Sequence, residues 1–165
     1  MKKIVFLLFL ISFLVLSFSN NKNLVIPHNA IRIRVIANSN DVEDQRIKIN
    51  VKNDVTSFLE KKLSDINSYN EASGIIRNNL NDINDIVKQY ESTYDISYGK
   101  NYFPKKVYKG IKFNEGEYNS IVIKLGEAKG NNLWCVIFPP LCLVDENTEE
   151  KDYQFYFLNL LKKIK

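Results

Sequence analysis

The chain has 165 residues, of which 45% are hydrophobic and 25% charged, and its formal net charge is +4, as in an ordinary globular domain. One histidine, His28, and two cysteines argue against a Cys/His zinc site, which needs about four N/S ligands, and against Ser-His-Asp chemistry. The lysines form no clustered basic face, which argues against nucleic-acid binding. We therefore expect one domain without catalytic residues, metal or other cofactor, and without a nucleic-acid partner.

The first nineteen residues have the layout of a secretory signal peptide. Two lysines precede an uncharged, apolar run over residues 4–18, and small residues occupy positions −3 and −1 of a cut after Ser19. Fifteen helical residues span only about 22 Å, which is short of the roughly 30 Å hydrocarbon core and favours a cleaved signal over a retained anchor. We expect residues 1–19 to be removed on export, so that only an uncleaved signal would hold the protein at a membrane.

Residues 20–30 are predicted to be a linker, and a half-buried strand follows over residues 31–37. In this strand isoleucine and valine alternate with Arg32 and Arg34, so that the arginines point away from the core.

Two helices are predicted after the strand. The first begins with a capping-box pattern at Asn40 and Glu43, and its apolar stripe extends to Ile66. The second begins in the same way at Ser68, and its stripe extends to Tyr90. Four strands are predicted over residues 94–98, 102–108, 118–125 and 133–138, with a turn at residues 99–101, and a last helix over residues 147–163. The order predicts an α+β fold: a mostly antiparallel sheet, with the two long helices after the first strand packed on one face, and a C-terminal helix in a tail over residues 146–165.

Cys135 and Cys142 leave two interpretations open. Paired cysteines in an exported chain usually form a disulfide, and the bend at Pro139 and Pro140 would bring these two together. A strand that runs on from Cys135 would instead carry them apart as buried free thiols. Their spacing fits neither redox nor zinc motifs.

Three segments of the chain together resemble the stage II sporulation protein R family: residues 31–55, residues 102–118 and above all WCVIFPPLC at residues 134–142. The resemblance covers residues 31–145. Leu133 stands where the family usually has a second tryptophan, and Phe113-Asn114 where it has Leu-Pro. Both departures keep the apolar or turn character of their positions.

The resemblance implies an exported signalling protein that is not an enzyme. It would act in the space between the forespore and mother-cell membranes, where it would activate a membrane-embedded aspartic protease that cleaves the sigma-E precursor. It implies no oligomeric state. Two alternatives from the residues stay open: a secreted cell-wall hydrolase, and an envelope-binding module that uses the aromatic residues of the sheet. Turnover of peptidoglycan would support the former, and pelleting with it the latter.

A protein that acts by binding needs an exposed patch on a rigid support, and the sequence offers two. The first is the junction between the first strand and the first helix, where polar residues exceed what a helix cap requires: Asn38, Ser39, Asp41, Asp44 and Gln45. The second is the rigid apolar turn after the last strand: Phe138, Pro139, Pro140 and Leu141. Local structure, as caps in one case and a strand stop in the other, explains both equally well.

Overall fold

A computed structural model describes residues 24–25, 28–108 and 111–139 of the chain. The predicted signal peptide, most of the linker and the predicted C-terminal helix lie outside the described residues. The elements in chain order are β1 (Leu24–Val25), β2 (Ile31–Ile36), α1 (Val42–Leu63), α2 (Tyr69–Asn78), α3 (Leu80–Lys88), β3 (Tyr94–Phe103), β4 (Lys106–Tyr108), β5 (Ile111–Phe113), β6 (Gly116–Leu125) and β7 (Asn132–Phe138). No helix in this part of the chain is both long and apolar enough to cross a membrane.

The main sheet has four strands in the order β3-β6-β2-β7. β2 pairs in parallel with β6 and antiparallel with β7, while β3 and β6 are antiparallel over ten residue pairs. The α+β class is confirmed, but the predicted mostly antiparallel sheet is wrong, because the sheet is mixed. All three helices and β3 to β5 lie between β2 and β6 in the chain, and this long connection allows the parallel pairing. A second, small sheet has the order β1-β5-β4.

The helices pack on one face of the main sheet, as predicted. Ile33 of β2 and Ile121 of β6 point into the same core as Val55 and Leu59 of α1, and all four are fully buried. The alternation of β2 and the stripe of α1 therefore meet, and burial of these aliphatic side chains stabilises the domain.

The second predicted helix is two helices, because Asn79 interrupts it. The backbone N–H of Asn79 donates to the carbonyls of Ile75 and Ile76, and its side-chain Nδ2 donates to the Ile75 carbonyl at 2.7 Å. Its φ of −107° and ψ of 18° are not helical. An asparagine side chain that bonds to the backbone offers the chain an alternative to the helix, which explains the break.

The turn predicted at residues 99–101 is wrong, since these residues lie inside β3. They pair with residues 118–120 of the equally long β6. Pairing along a full partner strand outweighs the local turn preference of Gly99 and Asn101. The return strand predicted over residues 102–108 is reduced to the three residues of β4, which follow Pro104.

Candidate functional site

The junction between β2 and α1 lacks the capping box expected from its sequence. Helix α1 begins after Asp41, which makes no side-chain capping hydrogen bond. Instead, the Asp41 backbone N–H donates to the Ser39 hydroxyl at 3.0 Å. The polar residues of the junction have other partners, most of them distant in sequence.

The loop between β6 and β7, residues 126–131, lies against the junction. Its backbone N–H groups at Lys129 and Gly130 each donate at 2.9 Å, to the carbonyls of Asn38 and Ala37 respectively. Two more N–H groups of this loop donate to side chains of the junction: Glu127 N–H to Asn38 Oδ1 at 2.9 Å, and Asn131 N–H to Asn40 Oδ1 at 2.8 Å. Four hydrogen bonds therefore hold two segments together that are about ninety residues apart in the chain.

Glycines allow this close approach. A Cβ on Gly126 would lie 2.3 Å from Asn38 Oδ1, and the residue also has a φ of +54°, which favours glycine. A Cβ on Gly130 would lie 2.1 Å from the Ser39 carbonyl oxygen. The loop can pack on the junction only because both positions lack a side chain.

The remaining polar side chains of the junction bond to one another. Asn38 Nδ2 donates to Asp44 Oδ2 at 2.9 Å, and Gln45 Nε2 donates to the Ser39 carbonyl at 2.7 Å. Hydrogen bonds from Ser39 and then Asn38 hold the pKa of the Asp44 carboxyl below its usual value, because they stabilise the charged form.

Lys48 extends this network under the junction. Its Nζ donates to Gln45 Oε1 and, at 3.2 Å, to the Asn131 carbonyl. The residue is only 6% exposed, and burial lowers the pKa of its ammonium group, because the charged form is desolvated. Lys48 thus joins α1, the junction and the loop before β7.

The junction exposes residues 40–43 to solvent, and we call Asp41, Val42 and Glu43 of this stretch the junction ridge. Asp41 and Glu43 are exposed, and Val42 is 87% exposed. Glu43 pairs with Arg46 one turn along α1 at 2.9 Å. Sequence reasoning missed Val42; the available signal was an apolar residue in the first helical turn that lies outside the buried stripe.

The predicted contact residues therefore separate into two groups. Asp41 lies on the exposed junction ridge, whereas Asn38, Ser39, Asp44 and Gln45 are half-buried and support it from beneath. The junction has more polar side chains than a helix cap needs, and the hydrogen bonds within the junction explain this excess. A role of these residues in contact with a partner stays a prediction.

The second predicted patch is not exposed where the structure describes it. Phe138 is 2% exposed in the core between sheet and helices, and Pro139 is buried as well. The prediction that these two side chains offer an exposed apolar turn is wrong, because β7 ends by inserting Phe138 into the core. Pro140 and Leu141 lie outside the described residues.

The cysteine prediction is tested at one of its two positions. Cys135 is disulfide-bonded, and Cys142 lies outside the described residues, so that the Cys135–Cys142 pairing stays a prediction. Among the residues that the structure describes, no group of three or more His, Cys, Asp or Glu residues could hold a metal ion.

Comparison with known proteins identifies a family that the chain matches. Residues 27–148 match the family described as stage II sporulation protein R. The chain is also 36% identical over 138 residues to the stage II sporulation protein R of Bacillus subtilis (strain 168). This alignment covers 80% of the chain and 62% of the relative, so that the chain spans less than two thirds of the relative's length. No solved structure matches the chain.

Proposed function

Since the chain belongs to the stage II sporulation protein R family, we propose that it is an exported signal of endospore formation that activates a membrane-embedded aspartic protease. In this proposal the protein leaves the forespore, reaches the space between the forespore and mother-cell membranes, and causes the protease to cleave the sigma-E precursor. The observation that carries the proposal is the family match over residues 27–148. The protein would work without catalysis, by binding alone.

A protein that activates the protease by binding must bind the active form more tightly than the inactive form. A ligand shifts its partner between two states only by the difference in its affinity for them. A change from about 1% to about 99% active protease needs roughly 10⁴-fold tighter binding to the active form. A surface that is already ordered before binding helps, since less conformational entropy is lost.

The junction ridge has the properties that such a contact requires. Asp41, Val42 and Glu43 are exposed at the start of α1, a helix of 22 residues. The hydrogen bonds between the junction and residues 126–131 hold the ridge in place from beneath. We propose that the ridge, with Val42 at its centre, contacts the extracytoplasmic part of the protease.

Co-expression in a non-sporulating host tests the function. The host would produce the sigma-E precursor and the candidate protease, with or without this chain, and precursor cleavage would be followed by immunoblot. We expect cleavage only when the chain is present with its export signal. Equal cleavage without the chain would contradict the proposal.

A pair of variants tests the ridge in the same assay. Val42→Asn should abolish or strongly reduce cleavage, while the fold stays intact, because a surface substitution changes stability by only about 0.5 kcal/mol. Ile49→Asn is the control, since Ile49 lies two turns further along α1 and is 44% exposed. Full cleavage with Val42→Asn would place the contact elsewhere on the molecule.

Export has its own test. N-terminal sequencing of the protein recovered outside the cytoplasm should find a mature chain that begins at or near Asn20. Retention of Met1 would favour a membrane-anchored form over the secreted one.

A further inference from the structure

The face of the main sheet that points away from the helices carries a cluster of hydrogen-bond donors. It consists of Arg32 and Arg34 on β2 and Trp134 on the neighbouring β7, and we call these three residues the donor cluster. Arg34 and Trp134 are direct cross-strand partners, and Arg32 lies two positions along the same strand and therefore on the same face.

Arg32 is the most buried residue of the donor cluster, and aromatic rings enclose its side chain. Its guanidinium carbon lies 3.9 Å from the ring centre of Phe103, 5.0 Å from that of Tyr118 and 5.3 Å from that of Phe113. The residue is 1% exposed, although its place in an alternating strand led us to expect only that it points away from the core. Ring faces attract a cation, but they accept no strong hydrogen bond from it.

The donor cluster holds every buried side-chain nitrogen or oxygen that lacks a hydrogen-bond partner among the described residues. These atoms are Nε and Nη1 of Arg32, Nε of Arg34 and Nε1 of Trp134. All four are donors, and none is an acceptor. Buried polar groups are normally paired, so that four unpaired donors on one face indicate an acceptor that is supplied from outside the domain.

The positive charge of the two arginines indicates that the missing acceptor is an anion. Desolvation by burial lowers the pKa of Arg32 to about 10, because burial penalises the charged form, and a Coulombic interaction with Tyr118 offsets only part of this shift. Arg34 adds a second guanidinium, whose carbon lies 5.8 Å from the ring centre of Trp134. Arg34 and Trp134 are both half-buried, so that part of each residue reaches solvent although its unpaired nitrogen does not, whereas Arg32 is 1% exposed.

We propose that the donor cluster is a binding site for a carboxylate on an acidic peptide segment of a partner protein. The carboxylate would accept hydrogen bonds from Arg34 and Trp134, and the charge of Arg32 would add to the attraction. A carboxylate is planar and matches the guanidinium fork, and its aliphatic stem suits aromatic walls. A phosphate carries about −1.5 to −2 charges and would lose more hydration in such surroundings. The proposal does not depend on the proposed activation of a protease.

Trp134 is the only tryptophan of the chain, so that its fluorescence and its indole N–H resonance both report on the donor cluster. The full exported chain would be titrated at low ionic strength with an acetylated, amidated tetraglutamate peptide. We expect a saturable change in both signals. The matching tetraglutamine peptide should give none, and inorganic phosphate should bind about tenfold more weakly or worse. Equal responses to both peptides, no response, or tighter binding of phosphate would overturn the proposal.

Variants localise the binding. Arg34→Gln should weaken binding of the tetraglutamate peptide about tenfold or more. Arg77→Gln is the matched control, because the Arg77 guanidinium lies 5.6 Å from the Tyr98 ring on the helix side of the sheet and should not matter. If Arg34→Gln does not fold, Trp134→Phe is used instead, because it keeps an aromatic ring and removes the indole N–H donor. Binding of the tetraglutamate peptide to this variant is then measured by calorimetry. Unchanged affinity in a folded Arg34→Gln or Trp134→Phe variant would overturn the proposal.

Discussion

Asp44 is expected to contribute to stability through its charge. Because hydrogen bonds from Ser39 and Asn38 lower its pKa in the folded state below the usual 3.8, its contribution is present above that pH and is lost as the pH falls through the lowered pKa. Asp44→Asn should therefore lower the unfolding free energy at about pH 7 and have a smaller effect at about pH 3. Urea unfolding at the two pH values measures this difference.

The partner of Asp44 provides the control for that prediction. In a Ser39→Ala background the effect of Asp44→Asn at neutral pH should shrink, since the Ser39 hydroxyl, the largest cause of the lowered pKa, is already absent. An effect of Asp44→Asn that is independent of both pH and Ser39 would mean that the charge plays no part at the junction.

Gly130 and Gly74 should respond to alanine in opposite directions. At Gly130 a Cβ would meet the Ser39 backbone carbonyl at 2.1 Å, so that the loop must move away from the junction, and we expect Gly130→Ala to cost about 1–3 kcal/mol. At Gly74, inside α2, a Cβ would meet nothing within 4 Å. Gly74→Ala should stabilise by about 0.5–1 kcal/mol. Chemical denaturation compares both with the parent, and an unaffected Gly130→Ala would show that the loop is not held as tightly as its hydrogen bonds indicate.

At the scale of elements, β2 and β6 are the protected centre of the main sheet, because each is paired on both sides and covered by the helices. Ile33→Ala in β2 should cost about 2–5 kcal/mol, as expected for a fully buried isoleucine. Ile49→Ala on the exposed side of α1 should change the unfolding free energy by about 0.5 kcal/mol or less. Hydrogen exchange should in parallel be slower in β2 and β6 than in the edge strands β3 and β7. Faster exchange in β2 than in β3 would contradict this order.

Local sequence patterns predicted the type of each element better than they predicted where the element begins and ends. The alternation in β2 and the apolar stripe of α1 predicted those elements, because both are local patterns of the chain. The break at Asn79 was missed, although asparagine is a known helix-ending residue, because the apolar stripe continues on both sides of it. The full length of β3 was missed because it is set by pairing with β6, a strand that begins thirteen residues after β3 ends.

At the scale of the whole molecule, the proposed Cys135–Cys142 bridge would tie the middle of β7 to the chain that follows the strand. Closing so short a loop should stabilise by roughly 2–3 kcal/mol in the entropy model. Cys135→Ser and Cys142→Ser should then destabilise by similar amounts, and the double variant by no more than either one. Thiol titration of the unfolded, unreduced protein should find none, and two reactive thiols would contradict the bridge.

The sequence by itself determined the α+β class, the strand at residues 31–36, the helix that follows it and the family, because periodicity and motif are properties of contiguous residues. Only the tertiary structure decided that β2 runs parallel to β6, that Phe138 is buried, and that the loop at residues 126–131 supports the junction. It also placed Arg32 among three aromatic rings instead of in water. In each of these cases the deciding contact joins segments that are far apart in the chain. A local pattern shows that a side chain points away from the core, but not what covers it there.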